Sequence, residues 1–149
     1  MQGNLNPSAR AAIAAFLPPQ QAAAGTVTSG WMDMRTFFDA HATLSVGVFG
    51  AGATVDAKIE QATDANGTNA KAVNGLAITQ LVAAGGNNRQ SVINVRQEDL
   101  DKNAGFKFVR LSVTVGVAAT FVSGTLIGLD ARYGAAAANQ SASVAETVS

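Results

Sequence analysis

The chain of 149 residues contains no cysteine, a single histidine and only 13% charged residues. Without cysteine it can form no disulfide, no thiolate nucleophile and no zinc site built on sulfur, so packing alone must stabilise the fold. Ten basic and ten acidic residues give a net charge of zero. Binding to nucleic acid or to an anionic membrane surface requires a positive footprint. We therefore expect no nucleic-acid partner and no membrane partner.

The single histidine, His41, is the first candidate for catalysis. As a general base it would need a nucleophile and an orienting acid within hydrogen-bond reach. Ser45 and Asp39 are its only local candidates, and no serine lies in a G-x-S-x-G motif. The pattern indicates a structural or surface histidine.

Residues 98–105 resemble a calcium-binding loop, because acidic and amide side chains occupy alternate positions. However, Ala104 stands where such a loop requires glycine, and Arg110 stands where it requires a bidentate carboxylate. The segment is more typical of a solvated turn. The sequence therefore predicts no catalytic, cofactor-binding or metal-binding residue, and a protein that is not an enzyme.

Apolar and polar residues alternate along the middle of the chain with the period of a β-strand. In residues 43–49 the alternation places Leu44, Val46 and Val48 on one face. Residues 53–60 alternate more clearly, with a polar face that is either solvated or forms a row of salt bridges between subunits. The apolar members of this second strand are Val55, Ala57 and Ile59, and its polar members are Thr54, Asp56, Lys58 and Glu60.

The longest alternating stretch, residues 107–117, contains a conflict. Its apolar face is formed by valine and leucine, yet Phe106 and Phe108 fall on the otherwise polar face. Either a β-bulge near Phe108 shifts the alternation, or another chain covers this face. In the second case Phe108→Asp would impair assembly more than folding.

The spacing of short strands and turns predicts an all-β fold, an antiparallel β-sandwich or jelly roll over residues 30–134. Residues 1–29 are predicted to form an extended N-terminal arm with a possible short helix over residues 8–17, which Pro18 and Pro19 would end. Residues 135–149 have the composition of an extended tail. Neighbouring molecules would have to hold both segments, and deletion of residues 1–24 would leave the sandwich folded.

Apolar, aromatic and arginine side chains in the arm and next to it are candidates for a protein interface, where such residues concentrate. Within the predicted helix of the arm, Ile13, Phe16 and Leu17 are the only sizeable apolar residues. The full set of predicted interface residues is Ile13, Phe16, Leu17, Trp31, Met32, Met34, Arg35, Phe106 and Phe108.

Five segments in a fixed order resemble a family of small structural proteins of tailed bacteriophages, identified as head decoration (cement) proteins encoded near the major capsid protein. The resemblance covers about residues 30 to 134. The segments are residues 30–35 (GWMDMR), 50–58 (GAGATVDAK) with 61–64 (QATD), 77–81 (AITQL), 92–96 (VINVR) and 128–134 (GLDARYG).

The resemblance implies a non-enzymatic jelly-roll protein without cofactors that bridges capsomers and stabilises the phage head. Its partners would be the major capsid protein and further copies of itself, with a trimer favoured. It would lie on the capsid exterior after assembly in the host cytoplasm. Two alternatives stay open: another head-tail or tail component, and a carbohydrate-binding β-sandwich that contacts host surface glycans through Tyr133 near Asp130 and Arg132.

Overall fold

The structure, a computed structural model, describes residues 5–148 and places more than half of them in β-strands. Short 3-10 helices occur at Pro7–Ala9, Gln97–Asp99, Lys102–Ala104 and Ala136–Asn139, with one helical turn at Ala83–Gly86. None of the helices in this part of the chain is long and apolar enough to cross a membrane. The strands are β1 (Ala11–Ala22), β2 (Gly25–Thr28), β3 (Met32–Asp33), β4 (Phe37–Phe49), β5 (Thr54–Ala62), β6 (Lys71–Ala77), β7 (Leu81–Val82), β8 (Arg89–Arg96), β9 (Phe108–Gly116) and β10 (Thr120–Ala131).

The strands form two antiparallel sheets that face each other. One has the order β1-β10-β4-β8 and the other the order β2-β9-β5-β6, with β3 also paired to β9 and β7 also paired to β5. If β2 with β3, and β6 with β7, are each counted as one interrupted strand, the chain has eight strands in the orders 1-8-3-6 and 2-7-4-5. Two four-stranded sheets connected in this way are a jelly roll, which confirms the predicted fold class.

The core lies between the sheets and follows the alternation of the strands. Val55, Ala57 and Ile59 of β5 are buried, as their period-2 spacing predicts. In the four-stranded sheet, β10 contributes glycine at two inward positions. A Cβ at Gly128 would come within 2.5 Å of the Phe37 ring, so the missing side chain is what allows this ring to lie flat against the sheet.

The short helix predicted over residues 8–17 is wrong, because most of this segment belongs to β1. β1 pairs antiparallel with β10 and buries Ala12, Ala15 and Leu17 against the core. Alanine favours helix only weakly, and tertiary pairing overrides that preference here. Pro18 and Pro19 lie where the register between β1 and β10 shifts, and β1 is an edge strand. The N–H that proline lacks is therefore not needed for pairing at these two positions.

The C-terminal segment is held against β1 by hydrogen bonds within the same chain. Ser141 N–H donates to Ile13 O at 2.7 Å, and Ile13 N–H donates to Gln140 Oε1 at 2.7 Å. Ala136 is fully buried. The expectation that neighbouring molecules hold this segment is therefore wrong for residues 136–141. Residues 1–4 and 149 of the predicted arm and tail lie outside the described residues.

The alternation predicted for residues 43–49 holds for Leu44 and Val46, which are buried, but fails at Val48, which is exposed. Phe49 is buried in its place. The cause is a register shift between β10 and β4 at Thr120 and Val122, which adds one residue to β4 and reverses the alternation.

Candidate interaction surfaces

The outward side of the four-stranded sheet carries no charge over most of its area. The strand register places Ile127 beside Ile13 and His41, and Thr43 beside Thr125 and Val92. We call this surface the uncharged face. It consists of the outward side chains of Ile13, Phe16, His41, Thr43, Ser45, Gln90, Val92, Asn94, Phe121, Ser123, Thr125 and Ile127.

Apolar side chains of the uncharged face are exposed to solvent. Phe121 lies directly on Gly47, where a Cβ would come within 2.9 Å of the Phe121 Cβ, and it remains 51% exposed. Val92 is exposed as well, and so is Val48 at the end of β4. Phe121 also lines a shallow groove of about 560 Å³ together with Pro19 and Ser123. The face therefore offers a phenylalanine ring and a depression beside it.

The outward side of the other sheet is charged and closed by its own side chains. Glu60 accepts hydrogen bonds from Arg110, whose Nη2 lies 2.8 Å from Glu60 Oε2, and Lys58 lies 3.3 Å from its other oxygen. The Arg110 guanidinium stacks on the Trp31 ring at 4.5 Å. Of the polar row predicted on β5, Lys58 and Glu60 thus form ion pairs within the chain, whereas Asp56 accepts a hydrogen bond from Gln80 at 2.8 Å.

Three predicted interface residues are core residues of this chain. Leu17, Met32 and Met34 are buried between the sheets, with exposed fractions of 1%, 2% and 0%. Their prediction as interface residues is wrong, because Leu17 belongs to β1 rather than to an arm, and because Met32 of β3 and Met34 of the following loop point into the core. A partner could reach them only if the sandwich opened.

Phe106 and Phe108 are also buried, and neither predicted explanation for them holds. β9 keeps an unbroken register with β5 through Phe108, so no bulge shifts the alternation there. Cations of the same chain cover the two rings instead: the Arg35 guanidinium lies 5.5 Å from the centroid of Phe108, and the Lys71 ammonium lies 4.5 Å from that of Phe106. Phe108→Asp would therefore impair folding first, contrary to the expectation from the sequence.

The four other predicted interface residues stay accessible, and the structure separates them. Ile13 and Phe16 are half-buried on the uncharged face, Trp31 lies half-buried under Arg110, and Arg35 is exposed. The sequence analysis did not assign Phe121 and Val92 to an interface. The alternation along β10 places apolar residues on both of its faces, so the pattern alone did not identify the outward one.

The structure does not bring together the residues that the sequence offered as candidates for catalysis and for calcium binding. Asp39, His41 and Ser45 share one side of β4, but at about 3.4 Å per residue His41 and Ser45 are about 14 Å apart along the strand, too far for proton transfer. Asp99 Oδ2 accepts the Arg96 N–H at 2.8 Å. Among the described residues, no three histidine or acidic side chains are grouped as metal ligands.

A polar cleft opens at one end of the sandwich, beside the loop that follows β3. There Asp33 accepts hydrogen bonds from Nε and Nη2 of Arg35, the shortest at 2.7 Å. Partial burial acts to raise the pKa of Asp33, but the hydrogen bonds and charge of Arg35, with the charge of Lys107, outweigh it and hold the pKa below its ordinary value. Asp33 is therefore ionised at neutral pH.

No family model and no curated protein matches this sequence. Chains from two solved structures of infectious bursal disease virus align with it. The Gx strain structure aligns at 14% identity with a TM-score of 0.41, and the Gt strain structure at 15% with a TM-score of 0.44. Both alignments cover 85% of this chain, which spans about a third of the length of the matched chains (32% and 33%). At this level of similarity the comparison assigns no function.

Proposed function

We propose that this protein is a non-enzymatic structural component of a virion, a decoration protein that binds the outside of a tailed-phage head through its uncharged face. The observation that carries the proposal is the contrast between the two outward surfaces. One holds Lys58, Glu60 and Arg110 in ion pairs and has its rings covered by cations. The other exposes Phe121 and Val92 without a charged neighbour. Apolar sheet faces of this kind are typical of interaction sites.

The size of the face suits a weak contact that is repeated many times. Four strands about 4.8 Å apart, with about eight residues in shared register at about 3.4 Å each, give a flat area of about 500 Å². A standard protein interface buries about 800 Å² per partner. A single copy would therefore bind weakly, and several linked copies on a regular lattice would bind tightly through multivalency.

The partners and location follow from the resemblance of residues 30–134 to phage head decoration proteins. On this proposal the uncharged face binds the major capsid protein, copies associate with one another as a trimer, and the protein lies on the capsid exterior after assembly in the host cytoplasm. Jelly rolls occur in viral capsid proteins and in lectins, which is compatible with this role without selecting it. A head-tail or tail component is the alternative.

Co-sedimentation with phage heads tests the proposal. Heads assembled from the major capsid protein encoded in the same genome are mixed with the wild-type chain, with Phe121→Asp, or with Thr26→Asp. Phe121→Asp places a charge at the exposed ring position of the uncharged face, beside the groove at one end of it, and we expect it to reduce binding at least about tenfold. Thr26→Asp adds the same charge to an exposed position of the other sheet, where the new carboxylate can still accept a hydrogen bond from Thr114 Oγ1, and this variant should bind normally.

Both variants must keep the wild-type melting temperature for the comparison to be valid, which is expected because both side chains are exposed. Equal binding of Phe121→Asp and wild type would refute the assignment of the face. Binding to isolated tails, with none to heads, would favour the alternative.

A further inference from the structure

The polar cleft has a volume of about 650 Å³ and lies where three segments of the chain meet. They are the loop after β3, the 3-10 turn after β8 and the segment after β10. Cavities of about 300 to 1,000 Å³ are the usual size of small-ligand sites. The lining residues that matter below are Asp33, Arg35, Gln97, Arg132, Tyr133 and Asn139.

Arg132 is held in place with part of its hydrogen-bonding capacity unused. Its backbone N–H donates to Thr36 O at 2.9 Å, its Nε donates to Phe37 O at 3.4 Å, and its guanidinium stacks on the Phe38 ring at 4.4 Å. Neither Nη atom donates to any residue in the range 5–148. A guanidinium that the chain fixes by stacking and by Nε keeps the fork of donors that binds a carboxylate.

Arg35 and Gln97 are oriented in the same manner. Arg35 donates Nε and Nη2 to Asp33 and keeps Nη1. Gln97 donates Nε2 to the carbonyl oxygens of Met34 and Phe37, so its Oε1 remains as an acceptor. These bonds fix the directions of both side chains before any ligand binds, which lowers the entropic cost of binding.

Tyr133 supplies a different kind of surface. Its side chain is 82% exposed at the cleft, next to Arg132 in the chain. A flat ring offers apolar area to the C–H face of a sugar, and its hydroxyl adds a polar end. Two arginines and one ionised Asp33 leave the lining with a charge of +1. An aromatic platform, planar amides and an excess positive charge are together complementary to a sugar that carries one carboxylate.

We propose that this cleft binds a hexuronic acid residue of an acidic saccharide. The sugar carboxylate accepts hydrogen bonds from the two Nη atoms of Arg132, and the pyranose ring lies on Tyr133. Its hydroxyls bond to Gln97 Oε1 and to the Asn139 side chain. The proposal is independent of the role in the virion, since the cleft and the uncharged face share no lining residue.

Titration of the ¹⁵N-labelled full chain, followed by NMR, tests the proposal with defined probes. D-glucuronate is compared with D-glucose, which lacks the carboxylate, and with acetate, which lacks the ring. We expect D-glucuronate to shift the Arg132, Tyr133 and Asn139 resonances saturably with a Kd of about 1 mM, and both other probes to bind at least about tenfold more weakly.

Two substitutions test the contact of the sugar ring with Tyr133 and the contact of the carboxylate with Arg132 separately. Tyr133→Ala and Arg132→Gln should each weaken D-glucuronate binding about tenfold or more, while Phe121→Asp on the uncharged face should not. If Arg132→Gln disturbs folding through Phe38, the exposed Tyr133→Ala decides. The proposal is overturned if D-glucuronate gives no saturable shift, if acetate or D-glucose binds equally well, or if Tyr133→Ala binds as wild type does. Tyr133→Ala should leave head binding intact, so this proposal and the role in the virion can fail separately.

Discussion

Leu17 tests whether the first 24 residues are part of the sandwich. It lies in β1 opposite Gly124 of β10 and is 1% exposed. A Cβ at Gly124 would be 2.5 Å from Leu111 Cδ2 and 3.8 Å from the Leu17 Cβ, so Leu17 packs beside the space that Leu111 fills above the glycine. Leu17→Ala removes three carbon atoms from this position and cannot be compensated by a neighbouring side chain on β10.

The expected loss is large for one substitution. Buried leucine-to-alanine changes cost about 2 to 5 kcal/mol, and about 3 kcal/mol corresponds to about 6 to 12 °C in melting temperature for a chain of this size. Leu5→Ala is the matched control, because the same atoms are removed at a position that is 48% exposed. It should change stability by no more than about 0.5 kcal/mol.

Urea unfolding followed by circular dichroism measures both variants. If Leu17→Ala unfolds at the same urea concentration as wild type, the segment is an arm, as the sequence indicated, and the packing described above is refuted. The truncation of residues 1–24 gives a second measurement. It removes β1, a full strand of the four-stranded sheet, so we expect no cooperative unfolding, whereas an arm could be deleted without loss.

Two further predictions concern packing and pH. Gly128→Ala should destabilise the protein by about 1 to 3 kcal/mol in urea, because its Cβ would meet the Phe37 ring, while Gly30→Ala, whose Cβ meets nothing within 4 Å, should be near neutral. For Asp33, whose pKa Arg35 holds below the ordinary 3.8, the stabilisation is present above that value and is lost as pH falls through the lowered pKa. Asp33→Asn should therefore be less stable than wild type at pH of about 7, and this difference should shrink as the pH falls below the ordinary value of 3.8; a difference that stays the same at low pH would contradict this.

The parts of the fold that the sequence predicts correctly are those where one strand face is apolar and the other charged. In β5 the charges of Lys58 and Glu60 mark the outward side without ambiguity, and Ile59 is buried as expected. β1 offers no such contrast, because alanine is compatible with helix, strand, core and surface alike. Only its pairing with β10, more than 100 residues away in the chain, decides its structure.

The candidate surfaces were harder to predict for the same reason. On β10 the inward positions include Gly124 and Gly128, while Phe121 and Ile127 point outward. Val122 and Leu126 of β10 follow the usual rule and are buried. At the two glycine positions, Leu111 and Phe37 from other strands fill the space instead. The cleft was still less accessible to sequence reasoning, since its lining comes from residues 33–36, 97 and 132–139.

The few charged residues of the chain are distributed unevenly between the two sheets. Four of the five ion pairs among the described residues involve strands of the sheet that contains β2, β3, β5, β6, β7 and β9. These pairs are Asp33–Arg35, Lys58–Glu60, Lys71–Asp101 and Glu60–Arg110. If the low charge were a general property of the surface, both sheets would carry equally few charged side chains. Because the outward side of the β1-β10-β4-β8 sheet carries charges only at the end that holds Asp39 and Arg96, the composition reflects mainly one surface. A partner can bind the rest of that surface without leaving a desolvated charge unpaired.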